Sequence, residues 1–182
     1  VRRSSYTSHV QYDRYHRFEH WYRDNSVYFI TARCREQFPA FESEQAKSIF
    51  WERFQCHTSS HGFVPWVTSL MNNHYHTIGY LKDGEQLGPM MRKIHGSIAK
   101  LVNDVLPVRQ RPFWRRPGNH DYFDACIRNA KQGRRAYRYT LLQSVRHELC
   151  KDYREYSNTR VYVEMDRAID PASELNAWAW SL

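Results

Sequence analysis

Phe63-Val64-Pro65-Trp66-Val67-Thr68-Ser69-Leu70, then Met71-Asn72-Asn73, then His74-Tyr75-His76-Thr77-Ile78-Gly79-Tyr80-Leu81 is the stretch that decides the fold. Two runs rich in β-branched and aromatic residues flank an Asn-Asn turn, the pattern of an antiparallel hairpin. Pro65 lacks an amide hydrogen, so the first run should lie at an edge or start irregularly. Side chains two apart in a strand share a face, so His74 and His76 project together while Tyr75 points to the other side.

Working outward, Val27 to Arg33 reads as a strand after the turn-like Asp24-Asn25-Ser26. Ser43 is an N-cap signal for a helix through Ile49, Phe50, Trp51 and Phe54 that Gly62 stops. Downstream, Gly84 and Pro89 bracket the entry to a helix in which Met91, Ile94, Ile98, Leu101, Val102 and Val105 recur at helical spacing, and Pro107 ends it. An Arg/Pro-rich loop leads to a short strand from Tyr122 to Ile127 and a long helix from Asn129 to Tyr153; Arg160 to Glu164 is strand-like. The order β-α-β-β-α-β-α predicts an α+β fold of the ferredoxin-like, RRM-like split β-α-β type. Its antiparallel sheet should carry helices on one face plus a C-terminal helix. The chain divides into a basic aromatic arm (1–24), a domain (25–156) and a tail (157–182).

A length of 182 residues fits one domain, and 41% hydrophobic with 25% charged residues is ordinary globular composition. No run approaches the roughly 18 uncharged apolar residues of a membrane span. Val1-Arg2-Arg3-Ser4-Ser5 lacks an apolar signal core, so a soluble cytosolic protein is expected. Cys34, Cys56, Cys126 and Cys150 include no C-x-x-C pair, and neither a zinc knuckle nor a disulfide framework is legible. The net charge of +8 is uneven. Residues 107–138 hold nine bases (Arg109, Arg111, Arg115, Arg116, Arg128, Lys131, Arg134, Arg135, Arg138) against Asp121 and Asp124, or +7. Residues 1–23 add Arg2, Arg3, Arg14, Arg17 and Arg23 against two acids, interleaved with Tyr6, Tyr12, Tyr15, Trp21 and Tyr22. Guanidinium groups tracking phosphates, with flat rings for unpaired bases, suit single-stranded nucleic acid; a solvated helix face with packed aromatics is the plainer alternative.

The densest chemistry is His74 and His76, which can grip one metal ion, although ten histidines make a chance pair on an exposed face common. His57/His61 and His16/His20 are spaced i, i+4 without the glutamate of H-E-x-x-H and read as surface histidines. In Tyr139-Thr140-Leu141-Leu142-Gln143, a tyrosine and an amide four apart share one helix face, with Arg134, Arg135 and Arg138 alongside. A packed surface tyrosine is the bland reading of that helix. Taken with the histidine strand, it makes a site able to attack a phosphodiester. Tyr137 is the competing hydroxyl, but it lies about 200° around the helix from Tyr139.

Met71-Asn72-Asn73-His74-Tyr75-His76 resembles the Met-Pro-Asn-His-hydrophobic-His segment of the HUH-type single-tyrosine transposases, in particular the REP-associated tyrosine transposases of bacteria. Tyr139 to Leu149 is similar, without gaps, to that family's nucleophile helix, Tyr-Ile-His-Leu-Asn-Pro-Val-Arg-Ala-Gly-Leu. The resemblance extends to Tyr28–Thr31, the helix ending near Asn103, Phe113-Trp114-Arg115 and Asp124–Arg128. Asn72 and Ser144 replace prolines of the family pattern, and Gln143 is the variant of insertion-sequence members.

The resemblance implies a DNA transposase that cleaves and rejoins hairpin-containing single strands through a 5′-phosphotyrosine link. Tyr139 would be the nucleophile, and His74, His76 and Gln143 would hold Mg²⁺, with Mn²⁺ able to substitute and no nucleotide cofactor. Arg2, Arg3, Arg14, Arg17, Arg109, Arg111, Trp114, Arg115, Arg116, Lys131, Arg134, Arg135 and Arg138 would bind single-stranded or hairpin DNA. A cytoplasmic, nucleoid-associated location and no membrane partner go with it, and a homodimer stays open. The alternative is a domesticated, inactive hairpin DNA- or RNA-binding protein of the same fold. A standard RNA-recognition module lacks support because no strand carries its aromatic signature. A zinc hydrolase lacks a third ligand at zinc-like spacing.

Overall fold

The computed structural model describes residues 22–115 and 121–169. Arg2, Arg3, Arg14 and Arg17 of the arm, Arg116, and the tail from residue 170 lie outside the described residues. The elements are β1 (Ser26–Arg33), α1 (Glu44–Ser60), β2 (Phe63–Leu70), β3 (His74–Leu81), α2 (Leu87–Val105), β4 (Phe123–Ile127), α3 (Ala130–Leu141), α4 (Gln143–Arg146) and β5 (Thr159–Val161). The sheet runs β4-β1-β3-β2-β5, and every neighbouring pair is antiparallel. Its first four strands with α1 and α2 form the expected split β-α-β. The fifth, β5, is added along the outer edge of β2. No helix among the described residues is long and apolar enough to cross a membrane.

Local signals place the helices. Ser43 is extended and its hydroxyl accepts from the Ala46 amide at 3.2 Å, while Gly62, at φ 71°, leaves α1 in the left-handed region that favours glycine. The buried residues of α1 (Ala46, Phe50, Trp51, Phe54, Thr58) and α2 (Leu87, Met90, Met91, Ile94, His95, Ile98, Val102) form one stripe each. Both stripes pack with Tyr28, Ile30, Ala32, Tyr75 and Leu81 into the main core. The opposite face of the sheet presents Val27, Val67, Ile78 and Ile127 to Tyr137 of α3, with Trp66, Ala168 and Ile169 closing a second core.

β2 starts irregularly, as Pro65 suggests: its register with β3 shifts between Pro65 and Val67. The bulge changes the phase of the strand, so Phe63 and Leu70 serve the main core while Val67 serves the second. It also frees the Trp66 carbonyl, which accepts from the Tyr162 and Val163 amides at 2.8 and 3.2 Å. Ladder pairing of the tail therefore ends at Val67↔Val161, and β5 is shorter than the expected Arg160–Glu164. Trp51 Nε1 donates to Asn158 Oδ1 at 2.8 Å, fastening this segment to α1.

The long helix expected from Asn129 to Tyr153 is two pieces. Asn129 caps it as expected, accepting from the Gln132 amide at 2.9 Å, but α3 stops at Leu141 and α4 lasts one turn. Glu148, at φ 58°, then reverses the chain, with the Leu149 amide on the Ser144 carbonyl at 2.9 Å and the Glu148 amide on the Val145 carbonyl at 3.0 Å. Residues 146–149 are all exposed. No buried stripe continues past Ser144, so packing stops supporting the helix there.

Gly79 faces the main core beneath the Phe63 ring, where an added Cβ would stand 2.5 Å from the Val64 carbonyl oxygen and 2.6 Å from a Phe63 ring carbon. Gly79→Ala should cost about 1–3 kcal/mol by overpacking. The expected outcome is a lower urea midpoint with an unchanged m value.

Candidate active site

The second face of the sheet carries the polar cluster. Strand register sets His76 opposite Thr31 and His74 opposite Arg33. The Thr31 hydroxyl hydrogen-bonds His76 Nδ1. Asn73 Nδ2 donates to the Gln37 carbonyl at 3.1 Å, so Asn73 Oδ1 is the acceptor in its 2.6 Å contact with His74 Nδ1. His74 is thereby held with Nδ1 protonated and a lone pair on Nε2, the tautomer in which the remaining ring nitrogen can bind a metal. His76 Nε2 is buried with no hydrogen-bond partner.

Across from the strands, Tyr139, Gln143 and His147 follow one another at four-residue intervals. Four rings stand in a row: Tyr139 to His76, His76 to His74 and His74 to His147 are each 5.1 Å between centroids. Phe29 stacks on His76 at 5.8 Å and meets Tyr139 edge-on at 5.9 Å. The Arg146 guanidinium lies 4.9 Å over the Tyr139 ring. Gln143 Nε2 donates to the Tyr139 carbonyl at 2.9 Å, and its side chain stands near enough to His74 to oppose part of the fall in that imidazole's pKa. The glutamine thus joins the tyrosine turn to the histidines through the Tyr139 backbone, not through its hydroxyl. Tyr139 is 37% exposed, whereas Tyr137 is 2% exposed and donates its hydroxyl to the Val163 carbonyl at 2.7 Å.

Burial, then the neighbouring His147 and Arg33, push His74 down to about 4; burial, then His74, Arg33 and His147, hold His76 well below 6.5. Both imidazoles are neutral at pH 7 and so are ligands, not competitors, for a cation. No group of three His, Cys, Asp or Glu side chains among the described residues is arranged to hold a metal ion. A metal here would need a third donor, and the Gln143 amide is the polar side chain next to the pair. Two imidazole nitrogens, one of them the unpartnered and buried His76 Nε2, and one amide oxygen fit a divalent ion.

The tyrosine end of the row opens into a groove of about 730 Å³ lined by Arg134, Arg135, Arg138, Tyr139, Leu142 and Arg146. The histidine end opens into a smaller groove of about 280 Å³ lined in part by Arg33, Asn72, Asn73 and His147. Arg134 shares its charge with Asp166, while Lys131, Arg135 and Arg138 are exposed on α3. Arg115 is exposed, its amide bonded to the Arg33 carbonyl at 2.7 Å. Arg109 pairs with Asp104 at 2.6 Å, and Arg111 lines a concavity with Asn103 and Phe113; neither borders the ring row. Trp114 corrects the expected set of base-stacking residues. It is 4% exposed, stacks on His95 at 4.3 Å and donates Nε1 to the His95 carbonyl at 3.1 Å, so it has no face left for a base. The sequence reading missed Arg33, Thr31, Asn73, Arg146 and His147. For His147 the signal was present, one more four-residue step beyond Gln143.

Neither a protein-family model nor a curated protein matches the sequence. Among solved structures, a REP-associated tyrosine transposase bound to a REP hairpin superposes with a TM-score of 0.65 at 17% identity, over 78% of this chain and 80% of that one. A candidate transposase from Deinococcus radiodurans R1 gives 0.46 at 10% identity, over 62% of this chain and 86% of that one. The first likeness shows a common fold.

Because His74 and His76 resist protonation in the folded protein, the unfolded chain binds more protons as pH falls from 6.5 towards 4. Stability in EDTA should therefore decline across that window. Urea unfolding at several pH values should show this slope, and His74→Gln should flatten part of it.

Proposed function

We propose that this protein is a transposase-type endonuclease of the HUH single-tyrosine kind, which cuts and rejoins single-stranded DNA bearing a hairpin. The observation that carries this reading is the exposed Tyr139 at the end of a row of buried, neutral imidazoles, at the mouth of an arginine-lined groove. The shared fold with a transposase that binds a hairpin supports it.

The chemistry follows from the groups present. Arg135, Arg138 and Arg146 attract the DNA backbone into the groove and set a phosphate beside Tyr139. The Tyr139 oxygen attacks phosphorus and its proton passes to water. The P–O3′ bond breaks with its electron pair on the 3′ oxygen, which takes a proton from water. The products are a 5′-phosphotyrosine and a free 3′-hydroxyl, one ester exchanged for another, so resealing is the reverse step and needs no nucleotide triphosphate. Arg146, over the Tyr139 ring, offsets charge on the phenolate. A divalent ion held by His74, His76 and Gln143, Mg²⁺ or Mn²⁺, would supply Lewis acidity at the scissile phosphate.

The test uses labelled single strands with imperfect hairpins from the DNA flanking the gene, incubated with Mg²⁺ or Mn²⁺ and run on denaturing gels. Label should migrate with the protein, vanish with EDTA, His76→Ala or Tyr139→Phe, and persist in Tyr137→Phe if that variant folds. Tight hairpin binding without any adduct would turn the reading to an inactive binding protein. Arg135→Ala with Arg138→Ala should also weaken single-strand binding and reduce the slope of log affinity against log salt by about 1.4, at roughly 0.7 per lost phosphate contact. Fluorescence anisotropy between low and moderate salt measures it.

A further inference from the structure

The smaller groove has no part in that account, and the row of rings gives it one. In-line displacement requires the leaving oxygen to depart from the side of phosphorus opposite the attacking oxygen. Tyr139 stands at one end of the row, the candidate metal ligands occupy its middle, and His147 with Arg33 stands at the other end. We infer that the groove beyond His74 is the subsite for the nucleoside that leaves with the 3′-hydroxyl, an inference that rests on the endonuclease reading.

Four observations support the assignment. At about 280 Å³ the groove falls just below the roughly 300–1,000 Å³ range of small-ligand sites, room for one base and its sugar. Its wall supplies a guanidinium from Arg33, an imidazole from His147 and amides from Asn72 and Gln37, the donors and acceptors that phosphate oxygens and base edges need. Its floor is wired to the site, since Gln37 holds Asn73 and Asn73 holds His74. Glu36 and Gln37, at φ 53° and 59°, take consecutive left-handed conformations without being glycine, a strained turn of the sort that persists where a binding wall must have one shape.

The first arm needs no chemistry. In a Tyr139→Phe background, fluorescein-labelled dT20 should bind about five- to ten-fold more weakly once Arg33→Ala and His147→Ala are added, and Arg33→Lys should recover most of the loss attributable to Arg33. The second arm starts from the covalent adduct of the otherwise parent protein. With both alanine substitutions, half-maximal resealing should need roughly ten times more 3′-hydroxyl strand, with the saturating yield unchanged. Unchanged dT20 binding overturns the inference. So does weakened dT20 binding with normal half-saturation in resealing, which would make the groove a DNA contact but not the leaving-strand subsite. Failure to form adduct with any strand strikes the endonuclease reading itself and takes the leaving-group assignment with it, while the dT20 arm still decides whether the groove holds DNA.

Discussion

Tyr75 is fully buried between Phe50, Phe54 and Trp114, and its hydroxyl meets His95 Nε2 at 2.9 Å in the main core. That one anchored side chain sets the pleat of β3. A slip of one residue would turn Tyr75 out of an aromatic core and drive two histidines into it, so the register has a single low-energy setting. With Tyr75 inward, His74 and His76 must project from the opposite face, and the β1 register then brings Thr31 and Arg33 alongside them. The anchor is polar as well as aromatic. His95 Nδ1 lies 2.9 Å from Asp121 Oδ2, which ties the end of the basic loop to the strand that bears the histidine pair.

The second face is covered only in part, and the partial cover makes the site. Tyr137 with Ala168 and Ile169 buries one end of it, near Ile78 and Ile127. At the other end the chain places Tyr139, Gln143 and His147 over the histidines and leaves grooves on both sides. His74 and His76 lose their hydration without gaining a carboxylate, so they stay neutral, and His76 Nε2 stays unpaired. An unsatisfied buried nitrogen costs on the order of 1–3 kcal/mol. A cation at that nitrogen would recover the cost.

Much of this was legible along the chain. The alternation of His74, Tyr75 and His76, the Ser43 and Asn129 caps, the Gly62 stop and the irregular start at Pro65 are each written within a few residues. Period, cap chemistry and backbone restriction are local properties, and they survive folding unchanged. The four-residue spacing of Tyr139 and Gln143 belongs to the same class, and its extension to His147 was there to be read.

What sequence alone determined was thus which elements form, which side chains share a face, and where positive charge gathers. Only the tertiary structure decided which faces are covered. Trp114 sits among basic residues in the sequence yet is core, because His95 and Tyr75 close over it from elements 19 and 39 residues away. The helical segment after Asn129 gives out beyond Ser144 because no buried residue follows to hold it against the sheet. Thr31 and Arg33 join the histidines through strand pairing across more than 40 residues. Burial and pairing are properties of distant segments brought together, and no window of sequence contains both partners.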